Sequence, residues 1–237
     1  LGFYRRAGFI LRKVCQSGQQ RKDPHTEVSA LLDLANLSTL QGHHEEAAGY
    51  CKQCQAVVES EPELKNYRPL LLRALANNFY RLGDHPRAKA SCDEWLATYT
   101  GDEHRRLRAD VYRIRGVVSR WNFEFQEALQ YYINGAELAD QQQDNYLRAY
   151  FCNNIAEVHR WLGDLSQAEN WHKRARSIRQ QVGDRSGLSM SSNNLALVAK
   201  AYGESCRATG DWAGWEQRYL EARHLLETAI EIAVEIG

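Results

Sequence analysis

The stretch Leu75-Ala-Asn-Asn-Phe-Tyr-Arg-Leu-Gly-Asp-His-Pro-Arg-Ala88 decides the fold, because it returns as Asn154-Ile-Ala-Glu-Val-His-Arg-Trp-Leu-Gly-Asp-Leu-Ser-Gln-Ala168. Upstream of Gly83, Leu72, Leu75, Ala76 and Phe79 recur at three- and four-residue steps, the stripe of an amphipathic helix. Gly83 ends that helix, since glycine takes the left-handed conformation without steric cost. Asp84 caps a second helix, Pro86 suits its first turn, and Ala88, Cys92 and Trp95 form its apolar face.

Outward from this unit the same mark repeats along the chain. Glycine or a stand-in occurs at Gly2, Gly42, Gly83, Phe123, Gly163 and Gly203, in steps of 40, 41, 40, 40 and 40 residues. Five residues after each of the first five comes Ala7, Ala47, Ala88, Ala128 or Ala168. A fixed period of this size is the signature of a solenoid. The expected fold is all-α, a right-handed α-solenoid of antiparallel helix pairs with about 11 helices. Ala76, Gly116, Ala156 and Ala196 sit seven residues before the mark. Small residues there and early on the second helix let paired helices approach closely.

The expected organisation is one array over 1–237. A partial unit, 1–22, precedes units at about 25–62, 66–103, 106–142, 146–183 and 187–237. The chain opens and closes on a second helix, at Leu1 and Gly237, and reads as a segment of a larger protein. Two places break the beat. At the third junction Trp121-Asn-Phe-Glu-Phe125 replaces Leu-Gly-Asp, either as a repacked turn or as a contact patch. After Gly203, about fourteen residues near 204–217 are inserted, with the partner helix expected from about Tyr219. Trp212 and Trp215 then fall in a candidate contact loop, or pack against the stack if both helices are extended.

Composition removes several function classes. Thirty basic and thirty acidic residues cancel, against a generic nucleic-acid binder, and no apolar run reaches membrane-spanning length. Six irregularly spaced cysteines are not a disulfide framework, and a cytoplasmic location with reduced thiols is expected. There is no phosphate loop, nucleophile elbow or His-Glu-x-x-His helix, so no catalytic residue, cofactor or metal is expected. Cys51-x-x-Cys54 beside His43 and His44 lacks a second cysteine pair, and both thiols fall on a buried stripe. Arg5, Arg6, Arg12, Lys13, Arg21 and Lys22 make the first helix basic, while Glu221, Glu227, Glu231 and Glu235 make the last one acidic.

The two quoted runs resemble tetratricopeptide repeats, and the resemblance covers essentially the whole chain. The unit is longer than the standard 34 residues. The run Gly183-Asp-Arg-Ser-Gly-Leu-Ser-Met-Ser-Ser-Asn-Asn-Leu-Ala-Leu-Val-Ala199 resembles the longer repeats of kinesin light chains and of bacterial regulators similar to the maltose-regulon activator. The latter resemblance implies a sensor domain attached to a signal-transduction ATPase.

The resemblance also implies a concave groove lined by the first helices. Carried over unit by unit, it assigns Asn36, then Arg73, Asn77, Tyr80 and Arg81, then Arg113, Arg120 and Trp121. Tyr150, Asn153, Asn154, Glu157, Arg160 and Trp161 follow, with Asn193, Asn194 and Lys200 last. Arginine grips carboxylates bidentately, asparagine bonds backbone amides both ways, and aromatics add rigid contact area. The first expectation is a noncatalytic module that holds a peptide or protein segment of acidic character, beside other domains of its parent chain. The alternatives are an effector-sensing regulatory domain with a small molecule in the groove, and a structural oligomerisation segment.

Overall fold

A computed structural model describes residues 2–236; Leu1 and Gly237, where the expected array begins and ends, lie outside the described residues. Eleven α-helices fill it, with 3-10 turns at Pro62–Tyr67 and Asp102–His104 and no strand among the described residues. They fall into two compact units, Leu1–Asn122 and Phe123–Gly237. The boundary lies inside the expected unit 106–142, at the aromatic junction. In a repeat array each element contacts only its neighbours, so a division can fall between any two helices.

The first unit holds α1 (Gly2–Arg21), α2 (Pro24–Leu40), α3 (His44–Ser60), α4 (Arg68–Arg81), α5 (His85–Thr98) and α6 (Arg105–Trp121). Within this unit α2 packs on α3 and α4 on α5 as helix pairs. Leu31, Leu34, Cys51, Cys54 and Leu64 form one core cluster, and Ala76, Ala88, Cys92, Trp95 and Ile114 form a second. Trp95 is fully buried and satisfies its indole N–H on the Pro69 carbonyl at 3.0 Å.

The second unit holds α7 (Phe125–Gln141), α8 (Asn145–Trp161), α9 (Leu165–Gln181), α10 (Arg185–Ala208) and α11 (Trp212–Ile236). Here α7 meets α8 closely: a Cβ added at Gly135 would stand 2.2 Å from the Phe151 ring. Buried Arg179 at the end of α9 donates to the Gly187 carbonyl (2.9 Å) and to Ser191 Oγ (2.7 Å), tying α9 to α10.

The turns follow from the Gly-Asp pairs. Gly83 has φ +77°, and the Asp84 N–H donates to the Phe79 carbonyl at 2.8 Å while the Gly83 N–H donates to Tyr80 at 3.1 Å, a Schellman closure. The Asp84 carboxylate then accepts the Arg87 N–H at 3.1 Å. Asp144, Asp164 and Asp184 cap α8, α9 and α10 in the same way. Phe123 stands in for glycine in conformation as well as in sequence, with φ +61°.

Of the two readings of 204–217, the structure takes the extension of both helices and not the loop. The residues lengthen α10 to 24 and α11 to 25, against 17 each in α8 and α9. Gly203 is buried within α10, and the turn moves seven residues on to Gly210 (φ +77°), where Asp211 accepts the Gly214 N–H at 2.9 Å. Seven residues are nearly two helical turns, about 20° short, so both helices extend without rotating their buried faces out of register.

Candidate binding surface

In the first unit the expected groove residues of α2, α4 and α6 form a connected polar column. Arg73 donates to Asn36 Oδ1 at 3.1 Å and to Asp110 Oδ2 at 3.0 Å, and Arg113 Nε reaches Asp110 Oδ1 at 2.7 Å. Burial pushes the Asp110 carboxyl up, but the Arg113 and Arg73 guanidiniums outweigh it and hold it below its ordinary value. Asp110 was missed from sequence. Its signal was the spacing, since Asn36, Arg73 and Asp110 follow one another at intervals of 37 residues on successive first helices. Arg73 is therefore largely committed to holding helices together.

Nearer the ends of these helices the surface is aromatic. Arg81 lies 5.5 Å over Tyr80, and Arg120 lies 5.7 Å over Trp121. The His85 ring sits between them, 6.5 Å from Tyr80 and 6.3 Å from Trp121. Trp121 is 55% exposed, although it belongs to the junction that breaks the period. Asn77 Oδ1, close by on α4, is buried with no hydrogen-bond partner among the described residues.

The second unit carries its own set. Asn154 donates to the Tyr150 carbonyl (2.9 Å) and Asn194 to Asn153 Oδ1 (2.8 Å), so the paired asparagines of α8 and α10 bond one another. Arg160 donates to Glu157 Oε2 at 2.9 Å, while fully buried His172 of α9 brings Nε2 to 3.3 Å from Glu157 Oε1. Burial raises the Glu157 carboxyl, but His172 and Arg160 more than offset it and hold it at about 2. Arg160 also lies 5.6 Å over Trp161, which is 56% exposed. Asn193 and Lys200 project from α10 into solvent.

Trp212 and Trp215 occupy the first turn of α11 and not a loop. Their rings meet edge to face at 6.4 Å, and Trp215 stacks on Tyr219 at 5.6 Å. Cys51 and Cys54 lie in the first core, where burial pushes their thiols up to about 11 and about 12. Among the described residues no group of three or more His, Cys, Asp or Glu side chains converges on a metal position, and no helix is long and apolar enough to cross a membrane.

Comparison with known proteins bears on the fold. Residues 148–182, which span α8 and α9, match the tetratricopeptide repeat family. No curated protein matches the chain in sequence. Among solved structures it is similar to BtubC (BKLC) from P. vanneervenii, with 20% identity, a TM-score of 0.69, and 94% of this chain and 90% of that one covered. It is also similar to a Podosopora anserina putative kinesin light chain with nearly identical TPR-like repeats, at 16% identity and TM-score 0.66, covering 88% and 95%. A Rap protein complexed with competence and sporulation factor matches at 18% identity and TM-score 0.64, covering 92% of this chain and 59% of that chain. The helix pair α8–α9 is thus a tetratricopeptide repeat, and the chain has the tetratricopeptide-like helical-repeat fold, as the resemblance of its repeated runs implied.

Proposed function

We propose that the protein is a noncatalytic interaction module that holds a peptide or protein segment of acidic character against the first helices of its repeats. The carrying observation is a recurrent pair. Arg81 on Tyr80 and Arg120 on Trp121 put an arginine–aromatic contact at the ends of α4 and α6 in the first unit, and Arg160 on Trp161 puts one at the end of α8 in the second. Two of those aromatics are more than half exposed, as a solvated wall would not require. Exposed Trp and Tyr beside Arg is the chemistry of binding hot spots. A relative in fold was solved with competence and sporulation factor bound, which supports a binding role without identifying the ligand. The small-molecule reading draws less support, since Asn153, Asn154 and Asn194 spend polar groups on one another and on backbone.

An array of immobilised peptides graded in net charge tests this reading. Retention should rise with acidic content, and Trp161→Ala and Arg81→Glu should each weaken it at least about tenfold, ~1.4 kcal/mol. Binding that ignores peptide charge, or that survives both substitutions, would overturn it.

A further inference from the structure

Two arginine–tryptophan pairs stand one period apart, Arg120-Trp121 closing α6 and Arg160-Trp161 closing α8. They are built alike. The guanidinium lies 5.7 Å over the indole in the first and 5.6 Å in the second, and the tryptophans are 55% and 56% exposed. In both arginines Nε is buried without a hydrogen-bond partner among the described residues, which leaves the terminal nitrogens to bind the anion that the pair receives.

The pairs differ in one neighbour. One helical turn before Arg160, Glu157 accepts its Nη2–H at 2.9 Å, so that ion pair is completed inside the helix. One turn before Arg120 the same place holds Val117, which is buried and carries no charge. Arg120 makes no ion pair among the described residues. Elsewhere on the first helices of its unit, Arg73 and Arg113 both hold Asp110. Arg81 is also without an ion pair, but it follows Tyr80 where Arg120 precedes Trp121, so Arg120 alone repeats the order seen at Arg160. A guanidinium laid on an aromatic face is held in one orientation and offers a planar fork that matches a carboxylate. In α8 the chain supplies that carboxylate; in α6 it does not.

We propose that Arg120 and Trp121 form a seat for an aspartate or glutamate side chain of the bound segment, whose carboxylate takes on Arg120 the place that Glu157 takes on Arg160. This seat rests on the reading of the protein as a holder of acidic segments, and fixes where in the first unit that acidity is read. Trp121 covers the apolar stem of the incoming side chain. Arg160 is already neutralised by Glu157, so its pair offers the contact area of Trp161 and no free charge. The occupant in α8 is a side-chain carboxylate, and a chain terminus is not required to reproduce it.

The test takes the best-retained acidic peptide of the graded array, acetylated and amidated at its ends, and replaces each acidic residue in turn by its amide. Affinities are measured by titration calorimetry on the whole chain and on Arg120→Gln and Arg160→Gln, each checked by circular dichroism. One acid-to-amide replacement should weaken binding to the wild type at least about tenfold and leave binding to Arg120→Gln unchanged, because its carboxylate has there lost its partner. Arg160→Gln should keep the wild-type discrimination. Val117→Glu supplies the carboxylate within the helix and should lower affinity for the acidic peptide as Arg120→Gln does; if buried Val117 does not tolerate the charge, Arg120→Gln still decides. An Arg120→Gln protein that discriminates acid from amide as sharply as the wild type overturns the seat and leaves the interaction module standing. So does an Arg160→Gln protein that loses the discrimination, or binding that disappears on amidation of the peptide's C-terminus alone. An array with no preference for acidic peptides overturns the module, and the seat with it.

Discussion

The hairpins α8–α9 and α10–α11 solve one packing problem with different chemistry. In α8–α9, Ala168 is fully buried, and Glu157 reaches His172 across the helix pair. In α10–α11 the matching alanine, Ala222, is 7% exposed, Leu197 and Leu226 replace the polar bridge, and each helix gains about two turns. The added turns have their own contacts, with Arg218 lying 4.5 Å over Tyr202 and Trp215 stacking on Tyr219 at 5.6 Å. The difference teaches that a repeat can be lengthened by whole turns without disturbing its seam. What changes is the face it leaves exposed.

The largest way to break the comparison is through Glu157. Its folded pKa of about 2 lies below the ordinary 4.5, so it contributes stability that is fully present above 4.5. That contribution falls as pH drops from 4.5 through about 2, and amounts to on the order of 3 kcal/mol. Glu157→Gln should remove most of this acid dependence from the urea midpoint between those limits. An unchanged pH profile would show that the pair does not discriminate the two hairpins. Next in size are the alanines. Ala168→Leu should cost roughly 1–3 kcal/mol by overpacking, and Ala222→Leu distinctly less, because Ala222 lines an open groove of about 330 Å³ between α10 and α11. Equal losses in thermal melts would remove that distinction.

Much of this was legible before any coordinates, for physical reasons that can be named. Helix ends are local events, and Gly-Asp pairs such as Gly83-Asp84 and Gly163-Asp164 announced them because left-handed caps and carboxylate caps involve neighbours in sequence. Ala76, Ala88, Ala156 and Ala168 were legible as contact positions because only small residues fit there. The candidate surface was less legible. Its residues could be given helix positions, but Arg73 looked available for a ligand until Asp110 and Asn36 took it up across three helices. Pairings of that kind join residues far apart in the chain, and no local pattern encodes them. The stretch 204–217 allowed two readings, a loop or an extension of both helices, and only the coordinates chose between them: Thr209-Gly210-Asp211 is a turn, and the tryptophans after it start α11.

Glycines give a sharper version of the same contrast. Gly135 and Gly203 both lie inside helices of the second unit, yet a Cβ meets different surroundings. At Gly135 it would strike the buried Phe151 ring, so Gly135→Ala should destabilise by roughly 1–3 kcal/mol. At Gly203 the nearest atoms are Arg218 Cβ at 3.5 Å and Trp215 Cδ1 at 3.7 Å, ordinary contact distances. Alanine there should fit and reduce the entropic cost of helix formation.

Gly203→Ala is therefore expected to stabilise the unit by about 0.5–1 kcal/mol, the helix-propensity difference between the two residues. The substitution tests whether the lengthened hairpin is as tightly packed as the regular one. A gain means that the added turns are held with space to spare, consistent with a seam extended by whole turns after the regular contacts were in place. A loss as large as that at Gly135 would mean that α10 and α11 close on each other as tightly as α7 and α8. The groove that both helices line would then be a rigid surface.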